Sequence, residues 1–530
     1  MRVLYSCPQC YRKTHAISEI PTVNPAIKIY KLSCGHFHTI KGVTPNSVEH
    51  WKGLKFEDGR QLFHYQALTC NFAERANLSC LIAHEMGLGK TIIYQGLLKN
   101  HWSTLTPGII LCKSGLMRQW FHESLSCLGP QLIQTINGGR EFPLPMMKLF
   151  IISLDMLSSL DLEPWTKLNI KSICIDEVQL IKSHKSKRTQ AVRKFVQELQ
   201  PKVIGLSGTP IKNNPGEYFP ILNLLRPELF PTEAGFIQNW CEYDSGYYGT
   251  KVKRLRSPRD FKEFTKSFII RYEREEVMPD LPRIYRQNRF IDMTNDFDKA
   301  YQEVVSEFES FVRINEEKED NETMTNLLAY LAKMRHLTGL AKIESAVDFT
   351  TEFLLETNRK LVIFVHHKDV HDIIKLRLDT FLKDAGLPEC LSLTSELTAD
   401  EKHEVVQDFW TDKYRILIAS TLASGEGLNL QICSDAIMLE RQWNPANEEQ
   451  AEARFTRIGS KADQVNINYI TAVGTVDEFL ANIIERKRAV NKEVLSGVEQ
   501  ESWTQSQIIR ELTDLILNQK LKSWSMPKGN

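Results

Sequence analysis

Residues 83–91 read Ala-His-Glu-Met-Gly-Leu-Gly-Lys-Thr, and this stretch decides the fold. Leu78 to Ala83 is a short apolar run suited to a buried strand, and Thr91 to Leu98 has helical spacing. The two glycines therefore fall at a strand-to-helix turn of a parallel α/β sheet. Gly87 and Gly89 let successive backbone N–H groups turn inward around phosphate oxygens, with Glu85, Met86 and Leu88 completing the loop. The helix N-terminus adds partial positive charge. Lys90 can reach the β- and γ-phosphates, and the Thr91 hydroxyl can hold magnesium. The loop departs from the generic G-x-x-x-x-G-K-[ST] pattern at its first glycine, which is His84 here. Taken alone, it is also compatible with a Gly-Lys-Thr helix start that binds no nucleotide.

A second stretch narrows the reading. Lys171 to Asp176 is an apolar strand that ends in Asp176-Glu177-Val178-Gln179. Two adjacent carboxylates at the end of a buried strand are expensive to place unless a cation and a water use them. Asp176 is the candidate magnesium ligand. Glu177 is the candidate base that orients and deprotonates an attacking water.

Composition sets outer bounds. A chain of 530 residues can hold two or three domains, and no apolar run in it is long enough to span a membrane. The 11 cysteines show no disulfide-framework spacing, which fits a reducing compartment, cytoplasmic or nuclear. The formal net charge is +0, so any contact with nucleic acid must come from local basic stripes. Two occur, Lys182 to Arg188 (KSHKSKR) and Lys251 to Arg259 (KVKRLRSPR), and either could equally be a solvated face. Near the start, Cys7-x-x-Cys10 and Cys34-x-His36 form a pattern that could give zinc three thiolates and one imidazole, with His38 as an alternative fourth ligand. Reduced cysteines on a small strand pair without metal is the other reading.

Further motifs name a family. Val203 to Asn213 reads VIGLSGTPIKN and Gln450 to Gly459 reads QAEARFTRIG. HYQ stands at 64–66, LCKSGLMRQW at 111–120, LASGEGLNL at 422–430 and RQWNP at 441–445. In this order they resemble the motifs of superfamily II helicase-like ATPases of the Swi/Snf type, over roughly residues 55–490. The stretch FIIRYEREEVMPDLPRI at 268–284 looks like the segment that links the two lobes in that family. Val178-Gln179 stands where the family commonly has Ala-His, Lys113 where it often has proline, and His84 where it commonly has aspartate.

The resemblance implies an α/β fold of two RecA-like parallel-sheet lobes in tandem, with helical protrusions and a linker, and the separate Cys/His pattern adds a small N-terminal β segment of zinc-ribbon type. The expected boundaries are 1–45 for the zinc segment, 46–215 for the first lobe, 216–345 for the helical protrusion and linker, 346–490 for the second lobe and 491–530 for a helical tail. ATP and Mg2+ are the implied cofactors, and Zn2+ is added by the N-terminal pattern. By the same resemblance Gln66 reads adenine, Gly425, Gly427 and Gln450 lie against the nucleotide, and Arg454 and Arg457 act on the γ-phosphate. Two arginines three apart would share a helix face and point into one cleft. Lys113, Ser114, Lys368, Thr421 and Trp443 become candidate nucleic-acid contacts, and Ser207-Gly208-Thr209 the element coupling nucleotide state to closure. The expected activity is ATP-driven translocation on double-stranded DNA by a monomeric motor, with the N-terminal segment adding a nucleic-acid or protein contact. KLVIFVHHKDV at 360–370 looks like the branch of the family that anneals and remodels DNA forks.

Overall fold

The central strands of each of the two parallel sheets are apolar on both faces. The computed structural model describes residues 45–139, 141–208, 215–246, 249–315, 321–421, 429–442, 445–457, 459–460 and 462–482, with the backbone of five short strands between residues 5 and 41. The chain divides after Pro279 into two units.

The first unit carries seven parallel strands: β1 (Cys80–Ile82), β2 (Gly108–Cys112), β3 (Ile133–Ile136), β4 (Leu149–Ser153), β5 (Ser172–Asp176), β6 (Lys202–Leu206) and β7 (Ile269–Ile270). They stand in the order β7-β1-β6-β5-β2-β4-β3. Side chains alternate across the sheet: Ile109, Leu111, Ile173 and Ile175 enter one apolar layer. Ile110, Cys112 and Cys174 enter the other, with Leu97, Leu98 and Trp120. Burial on both faces is what makes these strands continuous apolar runs in the sequence. Each such side chain contributes about 1.5–3 kcal/mol of transfer free energy, so the sheet is a rigid platform for the loops at its carboxyl edge. Helices α1 (His64–Arg75), α2 (Lys90–Asn100) and α3 (Met117–Leu128) flank it. The first strand is shorter than the apolar run 78–83, because Asn77 and Leu78 turn in left-handed conformations with φ of 57° and 55°.

Residues 216–345 are less uniformly helical than the sequence suggests. Helices Phe219–Leu225, Glu233–Trp240 and Pro258–Thr265 surround an antiparallel hairpin, Cys241–Gly246 with Gly249–Leu255. The chain then lays down β7 beside β1, ending the first unit, and β8 (Arg283–Ile291) as the edge strand of the second sheet. Nearly all of β8 is exposed, so it lacks the apolar signature of a strand. Helices α4 (Asn295–Ile314) and α5 (Asn321–Ala341) follow, within the span expected to hold the helical protrusion and linker.

The second sheet adds β9 (Leu361–Val365), β10 (Leu391–Leu393), β11 (Ile416–Ser420), β12 (Asp435–Met438) and β13 (Gln464–Ala472) in the order β8-β13-β12-β9-β11-β10, all parallel. Val362 and Phe364 face one layer, and Leu361, Ile363 and Val365 the other. Helix α6 (Lys368–Asp384) follows β9, and α7 (Pro445–Glu452) precedes β13. The expected tandem parallel-sheet architecture is thus present. Near the N-terminus, Ala16–Ile20, Ile27–Leu32 and Phe37–Lys41 form an antiparallel meander, and Tyr5–Ser6 pairs with Lys13–Thr14.

Candidate active site

Gly87 and Gly89 take positive φ values of 86° and 67°, so a side chain at either would be strained, and α2 begins at Lys90 immediately after them. The Lys90 ammonium donates to the carbonyls of His84 at 2.9 Å and Glu85 at 3.2 Å. Burial lowers its pKa to about 8, against the opposing pull of Glu177 and Asp176. From α1, Tyr65 donates its hydroxyl to Leu88 O at 2.9 Å, and Gln66 reaches the same carbonyl at 3.3 Å. The Gln66 side-chain oxygen accepts from Phe63 N at 2.9 Å, so this buried amide caps its own helix beside the loop.

The carboxylates lie at the end of β5, one strand removed from β1. Trp120 Nε1 donates to Asp176 Oδ2 at 2.8 Å. Burial and the adjoining Glu177 carboxylate raise the Asp176 pKa, while the Trp120 bond and Lys90 pull it down. A cation would relieve that strain. Glu177 itself has φ of 55°, a left-handed conformation that costs a non-glycine residue energy and swings its side chain off the strand direction. Its carboxylate accepts from Gln179 Nε2, and Ser207 Oγ donates to Gln179 Oε1 at 2.6 Å. Gln179 therefore joins the carboxylate motif to the Ser207-Gly208 motif. A Cβ on Gly208 would meet Met86 Cγ at 2.6 Å, so only glycine lets that motif approach the phosphate loop so closely. Thr91 and Asp176 are an oxygen pair suited to magnesium, which commonly takes few protein ligands and completes its shell with water and phosphate. Among the described residues, no group of three His, Cys, Asp or Glu side chains could hold a metal.

A strap that sequence reading did not resolve covers the loop. Beyond β7 the pairing with the chain after β1 continues: Ala83 N donates to Ile270 O at 2.8 Å and Glu85 N to Tyr272 O at 3.0 Å. Arg271 donates to Ala83 O at 2.9 Å and Gly208 O at 3.3 Å. Arg274 donates its backbone N–H to Glu85 Oε2 at 2.7 Å and its guanidinium to Met86 O at 3.1 Å. The signal was the stretch 268–284, visible as a linking segment without a partner.

In the second unit, α7 ends at Glu452, and Arg454 and Arg457 follow in turns rather than on a helix face. The geometric reason expected for their pairing is corrected: Arg454 N and Phe455 N bond three residues back, to Ala451 O and Glu452 O, tightening the chain out of the helix. Burial and the neighbouring Arg454 both disfavour the Arg457 charge. Gln450 is buried on α7. Arg441 and Glu448 form a buried ion pair at 3.2 Å, and Glu452 binds Arg286 of β8 at 2.6 Å and accepts from the Tyr469 hydroxyl.

Of the candidate nucleic-acid contacts, Lys113 and Ser114 stand at the carboxyl end of β2, with Ser114 exposed. Lys368 is exposed and paired with Glu396 at 2.6 Å. Thr421 is buried, and its hydroxyl donates to Val365 O at 3.3 Å. Both basic stretches are partly neutralised, Lys182 by Glu217, Arg188 by Asp155, Lys253 by Asp244 and Arg254 by Glu242. Trp443, Gly425, Gly427, Thr209 and the zinc pattern Cys7, Cys10, Cys34 and His36 lie outside the described residues.

Comparison with known proteins accords with this geometry. The SNF2-related domain matches residues 63–339, and the helicase conserved C-terminal domain matches residues 341–459. The chain is 25% identical over 526 residues to the DNA annealing helicase and endonuclease ZRANB3 of Bos taurus, covering 92% of this chain and 48% of that protein. It is 28% identical over 443 residues to the SWI/SNF-related matrix-associated actin-dependent regulator of chromatin subfamily A-like protein 1 of Xenopus laevis, covering 80% and 43%. The chain thus spans less than half the length of these curated relatives. The Sulfolobus solfataricus SWI2/SNF2 ATPase core in complex with dsDNA aligns with a TM-score of 0.40 at 21% identity, over 88% of this chain and 98% of that one.

Proposed function

The chain belongs to the SNF2-related family of helicase-like ATPases, and from that premise we propose that it is an ATP-dependent translocase on double-stranded DNA. The observation that carries the reading is the first unit's site: a phosphate loop turned by two positive-φ glycines with Lys90 at its end, in the field of the paired carboxylates Asp176 and Glu177. Lys90 leaves the carbonyls of His84 and Glu85 to meet the β- and γ-phosphates. Thr91 and Asp176 hold magnesium, which when bound neutralises phosphate charge. Glu177 takes the proton of the attacking water, and Gln179 keeps it oriented through Ser207. Gln66 turns its amide from its own helix to adenine. Arg454 and Arg457 answer the charge that develops on the γ-phosphate. The relatives' printed names, one a DNA annealing helicase, support DNA as the track and the remodelling of DNA as the outcome.

The motor is proposed to act as a monomer in the nucleus or cytoplasm; among the described residues no helix is long and apolar enough to cross a membrane. The N-terminal segment is proposed to add a zinc-dependent nucleic-acid or protein contact. A second reading, an unwinding helicase stimulated by forks or RNA, is favoured by the same printed name. The test is the ATPase rate with no nucleic acid, single-stranded DNA, duplex DNA, forked DNA and RNA, joined to a triplex-displacement assay. Duplex stimulation with triplex displacement and no strand separation is expected. Efficient unwinding of a forked duplex would sink the translocase reading, and absence of any stimulation would favour an ATP-gated clamp.

A further inference from the structure

His84, which occupies the place of the generic loop's first glycine, is fully buried and fastened on both ring nitrogens. The backbone N–H of Tyr272 donates to Nδ1 at 3.0 Å, so Nδ1 carries no proton. Nε2 must therefore be the protonated nitrogen, and it donates to Thr69 Oγ1 at 2.7 Å. Thr69 passes its own hydroxyl proton on to Tyr65 O at 2.8 Å. One neutral tautomer satisfies every partner, whereas an imidazolium would set N–H against N–H. Burial, reinforced by Lys90 and Arg271, holds the ring neutral by lowering its pKa to about 3. Tyr272 lies over the ring with centroids 5.1 Å apart, and Tyr65 meets it edge-on at 6.3 Å. The carbonyl of the same residue receives the Lys90 ammonium.

We propose that His84 is a positioning residue for nucleotide binding: it pins the entry of the phosphate loop between α1 and the strap at 269–274, and so presets the rest position of Lys90. This deepens the reading of residues 83–91 as an ATP site and rests on it. A glycine there could make neither ring contact. With both made, the loop is ordered before nucleotide arrives, and less ordering entropy opposes binding. The ring's two hydrogen bonds go to Thr69 and to the Tyr272 backbone, away from Lys90 and the carboxylates, so its effect falls on affinity more than on the rate of the bound state.

The experiment is titration of the full chain with a fluorescent N-methylanthraniloyl-ADP, alongside KM and kcat for ATP and a thermal melt, for His84→Ala, His84→Asn, His84→Gln and Thr69→Val. His84→Ala should weaken nucleotide binding about tenfold and raise KM with a smaller change in kcat. Asparagine places an acceptor where Nδ1 stands and should recover most of the loss through Tyr272. Glutamine, which reaches only Thr69, should recover less, and Thr69→Val should fall between the parent and alanine. A folded His84→Ala chain binding within twofold of the parent would overturn the proposal. So would failure of all the variants to fold, which would make His84 a packing residue. If the parent itself binds no nucleotide, the ATP-site reading falls first and this inference with it.

Discussion

In the first unit the phosphate loop is fastened mainly through its main-chain carbonyls and amides, by the strap backbone, the Tyr65 hydroxyl and the His84 ring together with the Arg271 and Arg274 guanidiniums. In the second unit the turn bearing Arg454 and Arg457 hangs from buried carboxylates, Glu448 on Arg441 and Glu452 on Arg286 and Tyr469. Losing one partner of a neutral hydrogen bond strands a dipole, at a cost of about 1–3 kcal/mol, and not a full charge. A buried charge that loses its partner is left in a medium that cannot solvate it. The phosphate loop is therefore held by many replaceable contacts, and the arginine turn by a few irreplaceable ones.

The comparison breaks most severely at the chemistry itself. Lys90→Ala should reduce phosphate release to background, and retained turnover would remove the loop from its role. Arg457→Ala should cost about 10²–10³ in turnover while ATP affinity stays within about threefold, because a finger acts mainly on the transition state. Equal losses in both would instead mean that Arg457 binds the ground state. Glu448→Gln, which removes the carboxylate charge facing the buried Arg441 guanidinium, should lower stability by about 3 kcal/mol in urea unfolding, whereas Tyr65→Phe in the first unit should cost about 1 kcal/mol. Similar costs at the two sites would erase the contrast.

Acid sharpens the same contrast. Glu440, which leads into the arginine region, accepts from His366 N at 2.6 Å, His367 N at 3.0 Å and the His367 ring. Although burial alone would raise its pKa, these bonds bring it down from 4.5 to about 2. A depressed pKa gives stability that is full above 4.5 and lost as pH falls toward 2. His84 is also depressed, from 6.5 to about 3, so its contribution is full above 6.5 and declines toward 3. Acid titration of stability should thus show two windows, each on the order of a few kcal/mol. His84→Asn should flatten the upper window and Glu440→Gln the lower. A single window abolished by either variant would contradict the assignment.

Much of this was legible from residues whose neighbours in sequence are also their neighbours in space. Gly87, Gly89, Lys90 and the Asp176-Glu177 pair announce themselves because a strand, a turn and a helix follow each other without interruption. The paired arginines were visible as a motif, but the end of α7 at Glu452 was not, since nothing in Ala453-Arg454-Phe455 breaks a helix by propensity. β8 went unread because an edge strand with one row of partners keeps its polar side chains. The Trp120 bond to Asp176 and the Gln179 bond to Ser207 join segments 56 and 28 residues apart, and no local pattern encodes such pairings.

The strap has one more implication, which concerns time. Tyr272 meets His84 across 188 residues of chain. A ribosome making this protein therefore exposes the glycine turn, α2 and the paired carboxylates long before the segment that fastens them has left the exit tunnel. Throughout that interval the nascent chain carries the first unit's phosphate-facing groups and lacks the edge strand that holds them in place. Nucleotide capture by the first unit is thus expected to wait, during synthesis, until the last strand of its sheet has docked.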